Sequence, residues 1–186
     1  MRSFVAVDIG DAERKGVAHL QRGLRYKAEG VRWVRPDRMH LTLAFLGEVS
    51  EEFVESAKPK LAEALRECSA FDARLGGIGA YSSPRKARVM WVGMSVGRDE
   101  LCLLQKRVVA GLEQVGFQPE QRPFSPHLTL GRLRVPADVS QVCGQEFRGS
   151  GFRVHSVILF QSVLKPEGPD YFRLAEFELR AKRPPA

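Results

Sequence analysis

The amino-acid sequence predicts a bilobal α+β domain built on a repeated unit. Two observations carry that expectation. The tetrapeptide HLTL stands at 40–43 and returns at 127–130. Each copy ends a stretch whose hydrophobic pattern reads strand, helix, turn, strand. Phe4 precedes His40 by 36 residues, and Trp91 precedes His127 by the same interval. A length of 186 residues suits one domain, 1–186, or two small lobes sharing a core.

The elements follow in order. Apolar alternation in SFVAVDI (3–9) predicts a strand, with Asp11 as N-cap of a helix running to about Ala28 and stopped by Gly30. VRWV and MHLTLAFLG read as strands, the second closed by Gly47. Residues 50–68 begin with Ser50 and carry apolar residues at helical spacing, while Pro59 predicts a break or kink. FDARLGGIGAYSS and ARVMWVGMSVG read as paired strands around the basic loop SPRKAR (83–88). A helix over about 99–116 precedes the HLTLGRL strand, and two strands, 151–164 and 171–180, finish the pattern before the tail KRPPA.

Composition narrows the function classes. The chain is 44% hydrophobic and 27% charged, ordinary for a soluble globular protein, and no apolar run approaches the roughly 18 residues of a membrane span. The opening apolar stretch is short and interrupted by Asp8, unlike a signal-peptide core, so a cytoplasmic protein is expected. Cys68, Cys102 and Cys143 are odd in number and far apart, which fits thiols better than disulfides or zinc ligands. The formal charge is +7, and 21 of the 29 basic residues are arginine, whose planar fork suits phosphate. Such a surface concentrates polyanions such as RNA.

The repeated motif points to chemistry. Thr42 and Thr129 are the only threonines, and each stands two residues after a histidine. Strand side chains alternate faces, so each pair of leucines enters the core while histidine and threonine share the opposite face. Two imidazoles can act as a base and an acid near neutral pH, and two hydroxyls can donate to an anion between them. An anion that needs one proton removed and one delivered is most simply a phosphodiester, and a cyclic one keeps its product tethered. Zinc would want three or four strong ligands, and His19 (on a helix) and His155 (on a late strand) lack the spacing. A Ser-His-Asp triad has no GxSxG elbow, and GGIGA (76–80) breaks the dinucleotide pattern at Ser82. Arg32, Arg35, Arg38, Arg134 and the loop residues Arg85, Lys86 and Arg88 are basic neighbours that read first as solvated charge, with reach to an RNA backbone as the second reading. Strict alternation turns Arg132 away from His127, but Gly131 permits a bulge that would turn it inward. Trp33 and Trp91 read as core, or as stacking platforms at a cleft edge.

RWVRPDRMHLTLAFLGEV (32–49) and FSPHLTLGRL (124–133), with the opening SFVAVDI and closing YFRLAEFEL, resemble the LigT-like two-histidine phosphoesterases. More closely they resemble the RNA 2',3'-cyclic phosphodiesterases once called 2'-5' RNA ligases. The resemblance covers essentially the whole chain. It implies two pseudo-symmetric lobes of antiparallel sheet with helices outside and the site in the central cleft. It implies metal-independent hydrolysis of an RNA 2',3'-cyclic phosphate end to a 2'-phosphomonoester; separately, no cofactor and a monomer are expected. It further implies His40 as proton donor to the departing 3' oxygen, His127 as base on water, and Thr42 and Thr129 on the non-bridging oxygens. Arg132 sits where the family often carries a basic residue. Small cyclic nucleotides, an ADP-ribose cyclic phosphate, 2'-5' ligation and non-catalytic RNA-end binding remain the alternatives.

Overall fold

Val5, Ala6 and Val7 are fully buried, so the first strand, β1 (Arg2–Val7), must be covered on both faces and flanked on both edges. The computed structural model describes residues 1–181 and meets that requirement; the tail at 182–186 lies outside the described residues. After β1 come α1 (Gly10–Leu24), β2 (Val31–Trp33), β3 (Leu41–Glu48), α2 (Glu51–Leu65) and β4 (Phe71–Tyr81). Then follow β5 (Ala87–Val96), α3 (Arg98–Glu113), β6 (Leu128–Ala137), β7 (Phe152–Val154), β8 (Ser156–Val163) and β9 (Asp170–Glu178). One sheet has the order β3-β1-β8-β9 and the other β2-β6-β5-β4-β7, and the pairings in both are antiparallel. The fold is a bilobal α+β architecture with one HLTL strand in each sheet.

The two sheets exchange segments. β2 pairs with β6 in the second sheet, although the chain passes directly from β2 towards β3 in the first. The stretch expected as one strand at 151–164 is two: β7 pairs with β4, the chain turns at His155, and β8 pairs with β1. Periodicity alone could not show this, because both halves read as strand and only their partners differ. Helices cross over as well. α1 lies against the second sheet, whereas α3 packs on β3 of the first and on α2. A Cβ at Gly111 would stand 3.0 Å from the Ala64 Cβ and the Lys60 carbonyl, so the α2–α3 contact depends on that glycine.

Two buried polar side chains tie α1 to its sheet. Gln21 Nε2 donates to the Val34 carbonyl at 2.8 Å and to the Leu130 carbonyl at 2.9 Å. Glu13, 1% exposed, accepts from the backbone N–H groups of Leu75 (3.2 Å), Ser150 (2.7 Å) and Gly151 (3.2 Å). Its carboxylate fills the space a Cβ would need at Gly149.

Local expectations met the tertiary fold unevenly. Ser50 caps α2 by accepting from the Phe53 N–H at 3.0 Å. Pro59 does not break α2, because Val54, Ala57, Leu61 and Leu65 are buried along one face. A proline costs about 3 kcal/mol in a helix interior, less than those burials together return at about 1.5–3 kcal/mol for each large aliphatic side chain. Asp11 does not cap α1: the helix starts at Gly10, and the Asp8 carboxylate accepts from the Ile9 and Gly10 N–H groups instead. α1 also ends at Leu24, earlier than Ala28, with a turn closed by the Ala28 N–H on the Leu24 carbonyl.

Glu13→Ala is expected to cost about 3 kcal/mol, since it strands the buried Leu75 N–H and takes the acceptor from the part-buried N–H groups of Ser150 and Gly151. A urea melt measures this; a change under about 1 kcal/mol at unchanged m-value would show that the carboxylate is not the tie described.

Candidate active site

Each HLTL strand carries a bulge at the same place. On β3 the pairing steps from Ala6↔Thr42 to Val5↔Ala44, and on β6 from Trp91↔Thr129 to Met90↔Gly131. Leu43 and Leu130 are the extra residues, both buried. A bulge resets the alternation, so the residue three past each threonine, Phe45 or Arg132, shares the threonine's face. At Gly131 the bulge also brings β2 close, with a hypothetical Cβ only 2.4 Å from Val31 Cγ1. The equal 36-residue intervals do not correspond to equal register, because Trp91 lies opposite Thr129 whereas Phe4 lies opposite Phe45.

The structure brings His40, Thr42, His127, Thr129 and Arg132 to one cavity of about 580 Å³ between the sheets. A volume of this size holds a nucleotide-sized ligand. His40 Nδ1 lies 3.1 Å from the Arg38 carbonyl, and His127 Nδ1 lies 2.8 Å from the Ser125 carbonyl. A carbonyl only accepts, so each Nδ1 carries the hydrogen and each Nε2 is left for the cavity. Both rings are thus held in the same tautomer by the same local device.

Aromatic rings hold each imidazole. Phe4 stacks on His40 with centroids 4.5 Å apart, and Tyr171 meets it edge-on at 5.0 Å. Tyr81 meets His127 edge-on at 5.2 Å, with Trp91 tilted at 6.2 Å. Burial pushes the His40 ring down from its ordinary 6.5 to about 4; the Arg38 carbonyl opposes this, Arg14 adds to it, and Asp8 opposes it. His127 is also lowered, chiefly by burial, against the Ser125 carbonyl and with the help of Arg132. Both imidazoles are therefore neutral at pH 7 in the free protein.

The cavity's remaining walls are basic and aromatic. Arg2, Arg32, Arg35, Arg38 and Lys165 join Arg132 there, against a single acidic residue, Glu167. Trp33 lines the cavity and Trp91 stands beside His127, so both tryptophans belong to the cleft region as well as to the packing. Arg85, Lys86, Arg88 and Arg134 are not lining residues, and neither are His19 and His155. Among the described residues no three histidine, cysteine, aspartate or glutamate side chains converge as a metal site requires. Sequence reading missed Arg2, Phe45, Tyr81, Tyr171 and the β8–β9 loop (164–169). Tyr171 reaches His40 only through sheet pairing across 131 residues, for which no local pattern exists.

A model of the LigT-like phosphoesterase family matches residues 7–91 and again 92–171. The chain belongs to the LigT-like phosphoesterase family. A relative in Archaeoglobus fulgidus, named RNA 2',3'-cyclic phosphodiesterase, is 36% identical over 182 residues, covering 96% of this chain and 100% of the relative. One of the same name in Methanothermobacter thermautotrophicus is 32% identical over 184 residues, 96% of this chain and 99% of the relative. The crystal structure of a Thermus thermophilus protein superposes with a TM-score of 0.84 at 30% identity, covering 98% of this chain and 100% of that one. That of E. coli LigT complexed with 3'-AMP does so at 0.80 with 28% identity, covering 96% and 97%. A LigT-like phosphoesterase thus accounts for the whole described fold.

The His40 shift has a consequence for stability. Its folded value, about 4, lies below the ordinary 6.5, so between those pH values the unfolded chain binds the extra proton. The contribution is fully present above about pH 6.5 and is lost as pH falls towards 4. His40→Gln is expected to flatten the decline in stability between about pH 6.5 and about pH 4.5, measured by urea melts across that window. A variant as steep as the wild type would show that His40 titrates as an ordinary exposed histidine.

Proposed function

We propose that this protein hydrolyses the 2',3'-cyclic phosphate at an RNA end to a 2'-phosphomonoester, with its two histidines as acid and base. The observation that carries the reading is the pair of His-x-Thr strands lining one cavity, each with Nδ1 tied back to a carbonyl and Nε2 left over. The names of the relatives in the archaeal species support the same substrate class. In the proposed reaction His127 Nε2 takes a proton from water as its oxygen attacks phosphorus. The bond from phosphorus to the 3' oxygen breaks, and His40 Nε2 delivers a proton to that oxygen. Thr42 and Thr129 donate to the non-bridging oxygens, and Arg132 offsets the charge that builds on them. The assignment of acid and base comes from the family resemblance. Both His-x-Thr pairs come from one chain, so the reaction as proposed needs no second copy. Cys68, Cys102 and Cys143 are free thiols, which supports a reducing, cytoplasmic setting. No helix among the described residues is long and apolar enough to cross a membrane.

The acid role asks more of His40 than the free protein provides. A ring with a pKa of about 4 carries almost no proton at pH 7. A phosphate anion about 4 Å away in a partly screened site favours the imidazolium by about 4 kcal/mol, or about three pKa units. That is enough to let His40 carry its proton near pH 7. The substrate therefore charges its own acid.

A short RNA with a 2',3'-cyclic phosphate end, incubated in EDTA, tests the reading. The wild type is expected to yield a 2'-phosphate, and His40→Ala and His127→Ala each to lose about 10²–10⁴-fold in rate. Activity that vanishes in EDTA and returns with a divalent metal would refute the two-histidine mechanism, and a 3'-phosphate product would reverse which oxygen leaves.

The pH dependence is expected to divide. The kcat/KM profile, which reports the free enzyme, should be a bell centred below pH 6.5 because both rings are lowered there. The kcat profile should lie at higher pH, because bound phosphate raises both rings. Coincident profiles would contradict substrate-driven protonation.

A further inference from the structure

The basic residues of the cavity fall into two groups. On the side of the β8–β9 loop they are already engaged, with Arg38 and Lys165 sharing the Asp170 carboxylate. Arg38 donates to the Glu167 carbonyl at 2.8 Å and to Asp170 at 3.3 Å, and Lys165 also pairs with Asp170. Arg35 is held by Asp37 at 2.7 Å. On the side of the second sheet the opposite holds. Arg132 and Arg32 are both exposed, and no carboxylate lies within 4.0 Å of either among the described residues. Arg2 on the facing sheet is likewise without a carboxylate and lies over the Phe45 ring at 5.0 Å.

Arg32 and Arg132 are direct register partners across β2 and β6. Like charges directly opposite on antiparallel strands repel and destabilise the pair. Strands stand only about 4.8 Å apart, and Arg32 reaches the same cavity as the reacting groups. An anion held between or beside the two guanidiniums removes that repulsion. The path from Thr129 through Arg132 to Arg32 runs outward, because β2 is the edge strand of its sheet. A single-stranded polyanion with its end phosphate at the His-x-Thr pairs meets a second cation one strand further along that path.

We propose that Arg32 binds the phosphodiester joining the terminal nucleotide to its 5' neighbour, so that the enzyme prefers an RNA strand to a nucleoside 2',3'-cyclic phosphate. The strand then leaves the cleft over β2 rather than past the β8–β9 loop. Arg32 is a specificity residue in this account and takes no part in the bond changes. The inference rests on the cyclic phosphodiesterase reading and deepens it.

The experiment compares adenosine 2',3'-cyclic phosphate with a dinucleotide ending in the same group. The wild type is expected to show a kcat/KM at least about ten-fold higher on the dinucleotide, the worth of one charge-assisted contact. Arg32→Ala should collapse that ratio, mainly through KM, while Arg32→Lys recovers part of it. The slope of log KM against log salt on the dinucleotide should fall by about 0.7 in Arg32→Ala, as for one lost phosphate contact on a single strand. Arg66→Ala, which removes an exposed charge at the end of α2, should leave the ratio alone. Thermal melts should show Arg32→Ala no less stable than the wild type, since a repulsion has been removed. An unchanged ratio in Arg32→Ala, or a wild type that treats both substrates alike, overturns the inference and leaves the phosphodiesterase reading standing. A wild type that turns over neither substrate overturns both.

Discussion

A backbone carbonyl two residues upstream takes the Nδ1 hydrogen of His40 and of His127, and the geometry of the cleft follows from that bond. Without it an imidazole rotates and can present either nitrogen. With it the tautomer and the ring plane are set before any ligand arrives, so little ordering entropy is left for the reaction to supply. Packing completes the job on both sides: Phe4 and Tyr171 confine one ring, Tyr81 and Trp91 the other. The same rings exclude water, which is why both histidines rest neutral. Orientation and lowered basicity are two results of one arrangement.

Two sheets that merely touched could slide and open the distance between the His-x-Thr strands. Here they are interleaved. β2 leaves the first half of the chain to pair in the second sheet, and β8 returns from the second half to pair with β1 in the first. α1 is anchored across this exchange by Glu13 and Gln21, whose partners are backbone groups of β4, β6 and the loop at 149–151. Buried polar groups of this kind are costly unless fully paired, and so they specify one arrangement rather than adding bulk stability. Gln21 has a further consequence. It donates to the carbonyl of Leu130, the extra residue of the β6 bulge, and that bulge is what carries Arg132 to the cavity face.

The free protein holds charge in an unfavourable state. Two imidazoles are kept neutral by burial, and Arg32 and Arg132 are register partners with no carboxylate paired to either among the described residues. In the proposed complex two successive phosphates relieve these conditions, the end phosphate beside the imidazoles and Arg132 and the next phosphodiester at Arg32. On the opposite wall the Asp170 carboxylate and the Glu167 backbone carbonyl already engage Arg38 and Lys165, which gives the cavity a direction.

The sequence alone determined the chemistry-bearing residues and the class of fold. HLTL written twice, with the only two threonines of the chain inside it, is a local pattern, and strand alternation places His and Thr on one face without any tertiary information. The cap at Ser50 and most of the strands were legible for the same reason. Strand partners were not, because 151–164 reads as one strand-like stretch through the point where it changes sheets at His155. Nor was the placement of Arg132 settled by spacing: Gly131 permitted a bulge, but only the register between β5 and β6 decided that one forms. Tyr81 and Tyr171 carry no local signal at all. Local periodicity encodes which way a side chain faces, whereas long-range pairing decides what it faces, and the aromatic walls, the lowered histidines and the unpaired arginines all depend on the second.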